Sequence, residues 1–184
     1  MALLTAARRL FIASGYAGTG TPEVAAAAGL TRGALYHHFN SKEALYRGVV
    51  EVEFDAIASE IEAATPHDLT PDAAMLAGTR AYFTAMRTPG RTRLLIIEAP
   101  AVLGSTVMDE IDGTRSRAAL AHGLSAILPY RNSAEIDVLS RLLGAAFDAA
   151  ALAVSAGAPQ ALYEAGITAL YEGLIATSRL AGSS

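Results

Sequence analysis

Apolar side chains fall at helical intervals along the first sixty residues and are interrupted at short, well-marked points. Leu3, Leu4, Ala7, Leu10 and Phe11 recur every three or four positions with Arg8 and Arg9 to one side, predicting a first helix that Gly15 stops. Thr21-Pro22-Glu23 opens a second helix. Thr21 suits the N-cap, Pro22 the first helical position, where a missing N–H costs nothing, and Glu23 complements the positive end of the dipole. Gly29 ends it after two turns, in the left-handed conformation that glycine adopts most easily. Thr31 caps a third helix from Arg32 to about Phe39. Asn40-Ser41 then breaks the chain, and Ser41 caps a long helix carrying Leu45, Val49, Val52, Ile57 and Ile61 as far as Ala64. Two-turn helices are not stable alone, so the second and third must pack on their neighbours.

Beyond Thr65-Pro66 the breakers fall at Thr70-Pro71, Thr88-Pro89-Gly90, Pro100, Gly104-Ser105, Pro129 and Gly157-Ala158-Pro159, and every segment between them reads helical. No strand alternation, repeat or low-complexity stretch interrupts this pattern, and only Gly182-Ser183-Ser184 reads as disordered. The expected fold is all-α: a three-helix N-terminal domain over residues 1–48, then a larger helical domain over 49–184. Charges, Gly or Pro cut every apolar run short of the ~18 residues a membrane span needs. The first arginines follow the apolar residues rather than preceding them, unlike a signal peptide. A soluble, cytoplasmic protein with no membrane partner is expected.

Composition sharpens this reading. Hydrophobic residues make up 52% of the chain and aromatic ones only 7%, which suits closely packed helices better than a β-sandwich. Cysteine is absent, which removes disulfides, thiol catalysis and thiolate metal sites together. The net charge of −4 hides an asymmetry: residues 1–50 carry five basic side chains against two acidic, and the remainder nine against sixteen. A basic head on an acidic body fits a segment that meets phosphate while the rest stays away from it.

The head also carries a specific string. Gly15-Tyr16 and Thr19 precede Val24-Ala25, then Ala28-Gly29-Leu30-Thr31-Arg32-Gly33-Ala34-Leu35-Tyr36-His37-His38-Phe39, then Ser41-Lys42-Glu43-Ala44-Leu45. Helix, glycine turn and second helix form a helix-turn-helix, in which the second helix enters the major groove. Ala25, Ala28, Leu35 and Phe39 suit the inner faces; Thr31, Arg32, Gly33, Ala34, Tyr36, His37 and His38 form a compact outward face. Lys42 stands in the first turn of its helix, where a cation opposes the dipole unless phosphate binds there. The string resembles the DNA-binding domain of the TetR family of repressors. The resemblance implies that Tyr36, His37 and Lys42 contact phosphate while Arg32, Gly33 and Ala34 lie nearest the bases. Family members often carry Ser or Thr where Gly20 stands, which would leave Thr19 or Thr21 to supply that contact and cap. The implied activity is that of a ligand-responsive regulator, most often a repressor, released from palindromic double-stranded DNA by a small molecule.

By the same resemblance the rest of the chain binds an effector and forms a homodimer. Arg93-Leu94-Leu95-Ile96-Ile97-Glu98-Ala99-Pro100-Ala101-Val102-Leu103-Gly104 is similar to a segment found in a group of TetR-like regulators. Leu139, Leu142, Leu143, Ala146, Phe147, Ala150 and Val154, then Leu162, Gly166, Ala169, Leu170, Gly173 and Leu174, give two broad apolar faces suited to an isologous contact, though burial within one subunit would account for many of them. Tyr82, Phe83, Met86, Met108, Arg117, His122, Phe147 and Asp148 are the candidate ligand residues, with Arg117 and His122 pointing to an anionic ligand. No catalytic residue, metal site or cofactor is expected. Adjacent His37 and His38 diverge on a helix, no histidine follows a glutamate at Glu-x-x-His spacing, and neither a P-loop nor a Gly-x-Gly-x-x-Gly occurs. The rival classes are a helical ligand-binding or dimer-forming protein without DNA recognition and, further off, a helical-bundle enzyme.

Overall fold

The computed structural model describes residues 2–66 and 68–181, the last four of these as backbone only; Gly182-Ser183-Ser184, expected to be disordered, lies outside them. The described residues contain helices and no strand. In chain order they are α1 (Ala2–Gly18), α2 (Thr21–Ala27), α3 (Arg32–His38), α4 (Lys42–Ala64), α5 (Pro71–Met86), a π-helix (Arg93–Glu98), α6 (Ala99–Gly113), α7 (Ser116–Ile127), α8 (Ser133–Ser155) and α9 (Gln160–Ala181). The all-α expectation holds. The start and stop signals account for most boundaries: Thr31 accepts the Ala34 N–H at 3.1 Å, Ser41 accepts the Ala44 N–H at 3.0 Å, and Gly29 has φ +69°.

The chain forms two compact units. The first comprises residues 1–55 and 89–111, the second 56–88 and 112–184. In the first, Leu3, Ala6, Ala7 and Phe11 of α1 are buried along with Val24, Ala25, Leu35, Leu45, Tyr46, Val49 and Val50. Each large apolar side chain withdrawn from water contributes about 1.5–3 kcal/mol, which is what holds the two-turn α2 and α3 in place. The segment from 89 joins this unit because Gly90, at φ +78°, runs against α1: a β-carbon there would come within 2.5 Å of Ile12. Beneath it Glu53, only 4% exposed, accepts from Arg8 Nε at 2.6 Å and Arg91 Nε at 2.9 Å. Burial alone would raise the Glu53 carboxyl, but the two guanidinium groups outweigh it and the net direction is down.

In the second unit α5 packs on α7 and α9, and α8 packs on α7 and α9. Phe83, Leu124, Leu128, Ile136, Leu143, Phe147, Ile167 and Tyr171 form its core. Asn132 and Glu135 cap α8 reciprocally, each side chain accepting the other's backbone N–H at 3.0 Å. One sequence expectation fails here. α8 is by length and composition apolar enough to cross a membrane. Its inner face is nevertheless in the core just described, and its apolar character comes from a second, outward stripe.

Candidate nucleic-acid interface and ligand-anchoring residues

The outward face of α3 is open. Thr31, Arg32, Gly33, Tyr36, His37 and His38 are exposed and Ala34 half-buried, whereas Leu35 is fully buried and fixes the helix to the core. A β-carbon at Gly33 would touch only the Thr31 hydroxyl, at 3.9 Å, so the surface there is low and unobstructed. The Arg32 guanidinium lies 5.5 Å from the centre of the Tyr36 ring, and the Tyr36 and Thr21 hydroxyls are 3.1 Å apart, within hydrogen-bond distance. Those contacts, Thr21 first and Arg32 second, lower the Tyr36 phenol below its ordinary value. Tyr36 therefore braces α3 on α2 as well as facing outward.

Lys42, half-buried at the start of α4, rests its ammonium 4.3 Å from the centre of the Tyr16 ring. This cation–π contact offsets the unfavourable dipole at that end of the helix. It brings Lys42 together with the residues after Gly15, a pairing the sequence spacing did not show. Tyr16 in turn packs against Phe11 and, edge-on at 5.0 Å, against Tyr46.

The residues expected to compensate for Gly20 are otherwise engaged. Thr19 is 2% exposed and its hydroxyl donates to the Gly15 carbonyl at 2.8 Å and the Leu10 carbonyl at 3.1 Å, so its side chain closes the turn rather than facing phosphate. Thr21 is not the N-cap but the first residue of α2, 8% exposed; Gly20 occupies the cap and supplies no side-chain bond.

Among the ligand candidates, the structure joins Tyr82, Phe83, Phe147 and Asp148. The Tyr82 hydroxyl donates to Asp148 Oδ1 at 3.0 Å, and the Tyr82 ring meets Phe147 at 4.9 Å and Phe83 at 5.7 Å. Asp148 keeps access to solvent while protein hems it in, and this burial, with Asp112 nearby, raises its carboxyl to about 6 against the pull of Tyr82. Desolvation and the Asp148 charge push the Tyr82 phenol well up. Met86 is buried at the end of α5, while Met108, half-buried on α6, belongs to the first unit. Arg117 already faces a carboxylate: its guanidinium lies 3.9 Å from Asp112, five residues back across a turn. His122 is exposed on α7. Of the polar candidates in this unit, Asp148 is the one joined to the aromatic group, through the Tyr82 hydroxyl.

Comparison with known proteins agrees with this geometry. A family model described as bacterial regulatory proteins of the tetR family matches residues 3–49, and one described as a tetracyclin repressor-like C-terminal domain matches residues 73–176. An uncharacterised helix-turn-helix transcriptional regulator of Mycobacterium tuberculosis is 30% identical over 155 residues, covering 73% of this chain and 77% of its own length. The transcriptional activator FasR of Mycolicibacterium smegmatis is 31% identical over 96 residues, 52% of this chain and 44% of that protein, so the match spans under half of FasR. Among solved structures, a TetR-family regulator from Streptomyces coelicolor superposes with a TM-score of 0.75 at 25% identity, covering 96% of this chain and 80% of the other. The regulator FadR of Bacillus subtilis, solved with stearoyl-CoA, gives 0.76 at 13% identity over 92% and 96%, a likeness of fold. The chain belongs to the TetR family of bacterial transcriptional regulators.

Proposed function

We propose that the protein is a cytoplasmic, homodimeric repressor that binds a palindromic operator and leaves it when a small molecule occupies the second unit. The observation that carries this reading is the open face of α3 beside Lys42: exposed Arg32, Gly33, Tyr36 and His37 on a helix anchored by buried Leu35. Arg32 reads base edges with Gly33 and Ala34 allowing close approach, while Tyr36, His37, Lys42 and the free N–H groups at the start of α4 hold phosphates. Two such heads, one groove turn apart, require a dimer. The outward stripes of α8 and α9 support one: Val138, Leu142, Leu162 and Leu170 are 54%, 64%, 69% and 52% exposed, with Ala145, Ala149, Gly166 and Gly173 between them allowing close approach.

The effector anchor in this reading is Asp148 with Tyr82, beside the rings of Phe83 and Phe147. Gly144, one turn before Asp148 on the same flank of α8, is only partly exposed, yet a β-carbon there would meet nothing within 4 Å, which leaves room beside the carboxylate. A protonated amine or other hydrogen-bond donor suits that anchor better than the anion expected from Arg117. Occupancy is read out as a shift between DNA-competent and incompetent populations of the dimer.

A titration of fluorescent duplexes over a salt series tests the DNA reading. Affinity for an operator should fall steeply with salt, Lys42→Ala should weaken binding to all sequences with a salt slope smaller by about one, and Arg32→Ala should relax base preference at one position of each half-site. Equal losses on specific and random DNA for both variants would overturn it.

A further inference from the structure

The segment Arg93–Gly104 stands out in the sequence, yet neither the DNA face nor the effector anchor uses its first half. Three contacts show what that half holds. The Tyr46 hydroxyl donates to the Leu94 carbonyl at 3.1 Å, the Tyr16 N–H donates to Glu98 Oε2 at 3.3 Å, and Arg93 pairs with Glu98 Oε1 at 2.5 Å. All of these residues lie in the first unit.

Their convergence on Tyr16 follows from the break in α1. Gly15 has φ +71° and ψ 172°, so the helix ladder stops there and the short turn Tyr16–Gly18 begins with orphan N–H groups. Glu98 accepts one of them. The approach is so close that a β-carbon at Gly15 would lie 3.0 Å from the Arg93 guanidinium and 3.2 Å from the Glu98 carboxylate. Tyr46, held by Leu94, then packs edge-on against the Tyr16 ring, and that ring carries the Lys42 ammonium. A chain of short contacts therefore runs from the π-helix through Tyr16 to the cation at the DNA face.

We infer that Glu98 is a positioning residue for DNA binding: by fixing Tyr16 it places Lys42 for phosphate, so the π-helix sets operator affinity without touching base preference. This rests on the DNA-binding reading above. Lys42 sits at a helix end whose dipole repels it, so its position depends on the Tyr16 ring more than on its own helix. The coupling follows contiguous contacts, and a mutant cycle measures it directly.

The test is a double-mutant cycle between Glu98 and Lys42 in the full chain, with affinity and salt slope measured on an operator duplex and on a random duplex. Lys42→Ala should lose about tenfold on both duplexes. Glu98→Ala should lose about threefold or more on both, with a reduced salt slope, and should add almost nothing in the Lys42→Ala background. Glu98→Gln, which keeps an acceptor for the Tyr16 N–H, should recover much of the loss. Tyr46→Phe, which removes only the bond to Leu94, should show a smaller loss with the same non-additivity, and it serves as the probe if Glu98→Ala does not fold. Additive losses, or full affinity in a folded Glu98 or Tyr46 variant while Lys42→Ala weakens binding, would overturn the inference and leave the DNA-binding reading standing. No loss in Lys42→Ala itself would remove both.

Discussion

The two units treat their polar groups and apolar faces differently. In the first, Glu53 is enclosed between Arg8 and Arg91, Thr19 gives its hydroxyl to two carbonyls, and Glu98 takes the N–H left over at Gly15, while the outward face of α3 stays open. In the second, Asp148 has a phenol for partner and a second carboxylate nearby, and the outer stripes of α8 and α9 are bare. A closed unit holds a reading surface rigidly. In the proposed reading, the open one is where a ligand and a second subunit bind. The two carboxylates differ in the same way: Glu53 is lowered by its two guanidinium partners, and Asp148 is raised by burial.

The largest effect expected from breaking this contrast is at Glu53. Glu53→Ala removes the buried carboxylate that accepts from both Arg8 and Arg91 and should cost about 3–5 kcal/mol of stability, measured by urea unfolding. Breaking the proposed dimer contact comes next: Leu142→Asp with Leu170→Asp should give a folded monomer by sedimentation whose operator affinity is lower by about a hundredfold or more, because two heads no longer bind together. A pH series then separates the carboxylates. Asp148 has a folded value near 6 against an ordinary 3.8, so the unfolded chain gives up that proton first, and this group's contribution to stability falls as pH rises from about 4 to about 6. Glu53, held below its ordinary 4.5, contributes stability that is present above that value and lost as pH falls through the folded one. Asp148→Asn should therefore remove the decline between pH 4 and 6 and leave the acid-side loss intact. The smallest effect is at Gly20, where a β-carbon would meet only Pro22, at 3.6 Å. Gly20→Ser should supply the missing cap and stabilise the protein by a few tenths of a kcal/mol in the same urea assay.

How much of this was legible in the sequence depends on how local each determinant is. Thr31 and Ser41 cap helices with bonds to residues three positions on, and Gly15 and Gly29 break them by their own backbone preference, so these signals read correctly. The outward set on α3 was legible for the same reason: helical spacing fixes which residues share a face. Thr21 read as a cap because its side chain suits one, but a partner fifteen residues away, Tyr36, claims its hydroxyl. Arg117 read as seeking a ligand because nothing in spacing shows that the turn at Thr114-Arg115 brings it back to Asp112. The placement of 89–111 with the head was invisible because it depends on long-range closures: Gly90 against Ile12, Tyr46 to Leu94, Arg91 to Glu53. Its trace was the resemblance of Arg93–Gly104 to other regulators, which marked the segment without giving its role.

The central claim, that the face of α3 reads DNA as one half of a symmetric pair, is tested most directly by selecting bound duplexes from a random library with the full-length protein. The account predicts enrichment of an inverted repeat whose half-site centres lie about one helical turn apart, with one position in each half-site relaxing when Arg32→Ala protein is used. Recovery of no enriched sequence, or of a motif without two-fold symmetry that Arg32→Ala leaves unchanged, would contradict it.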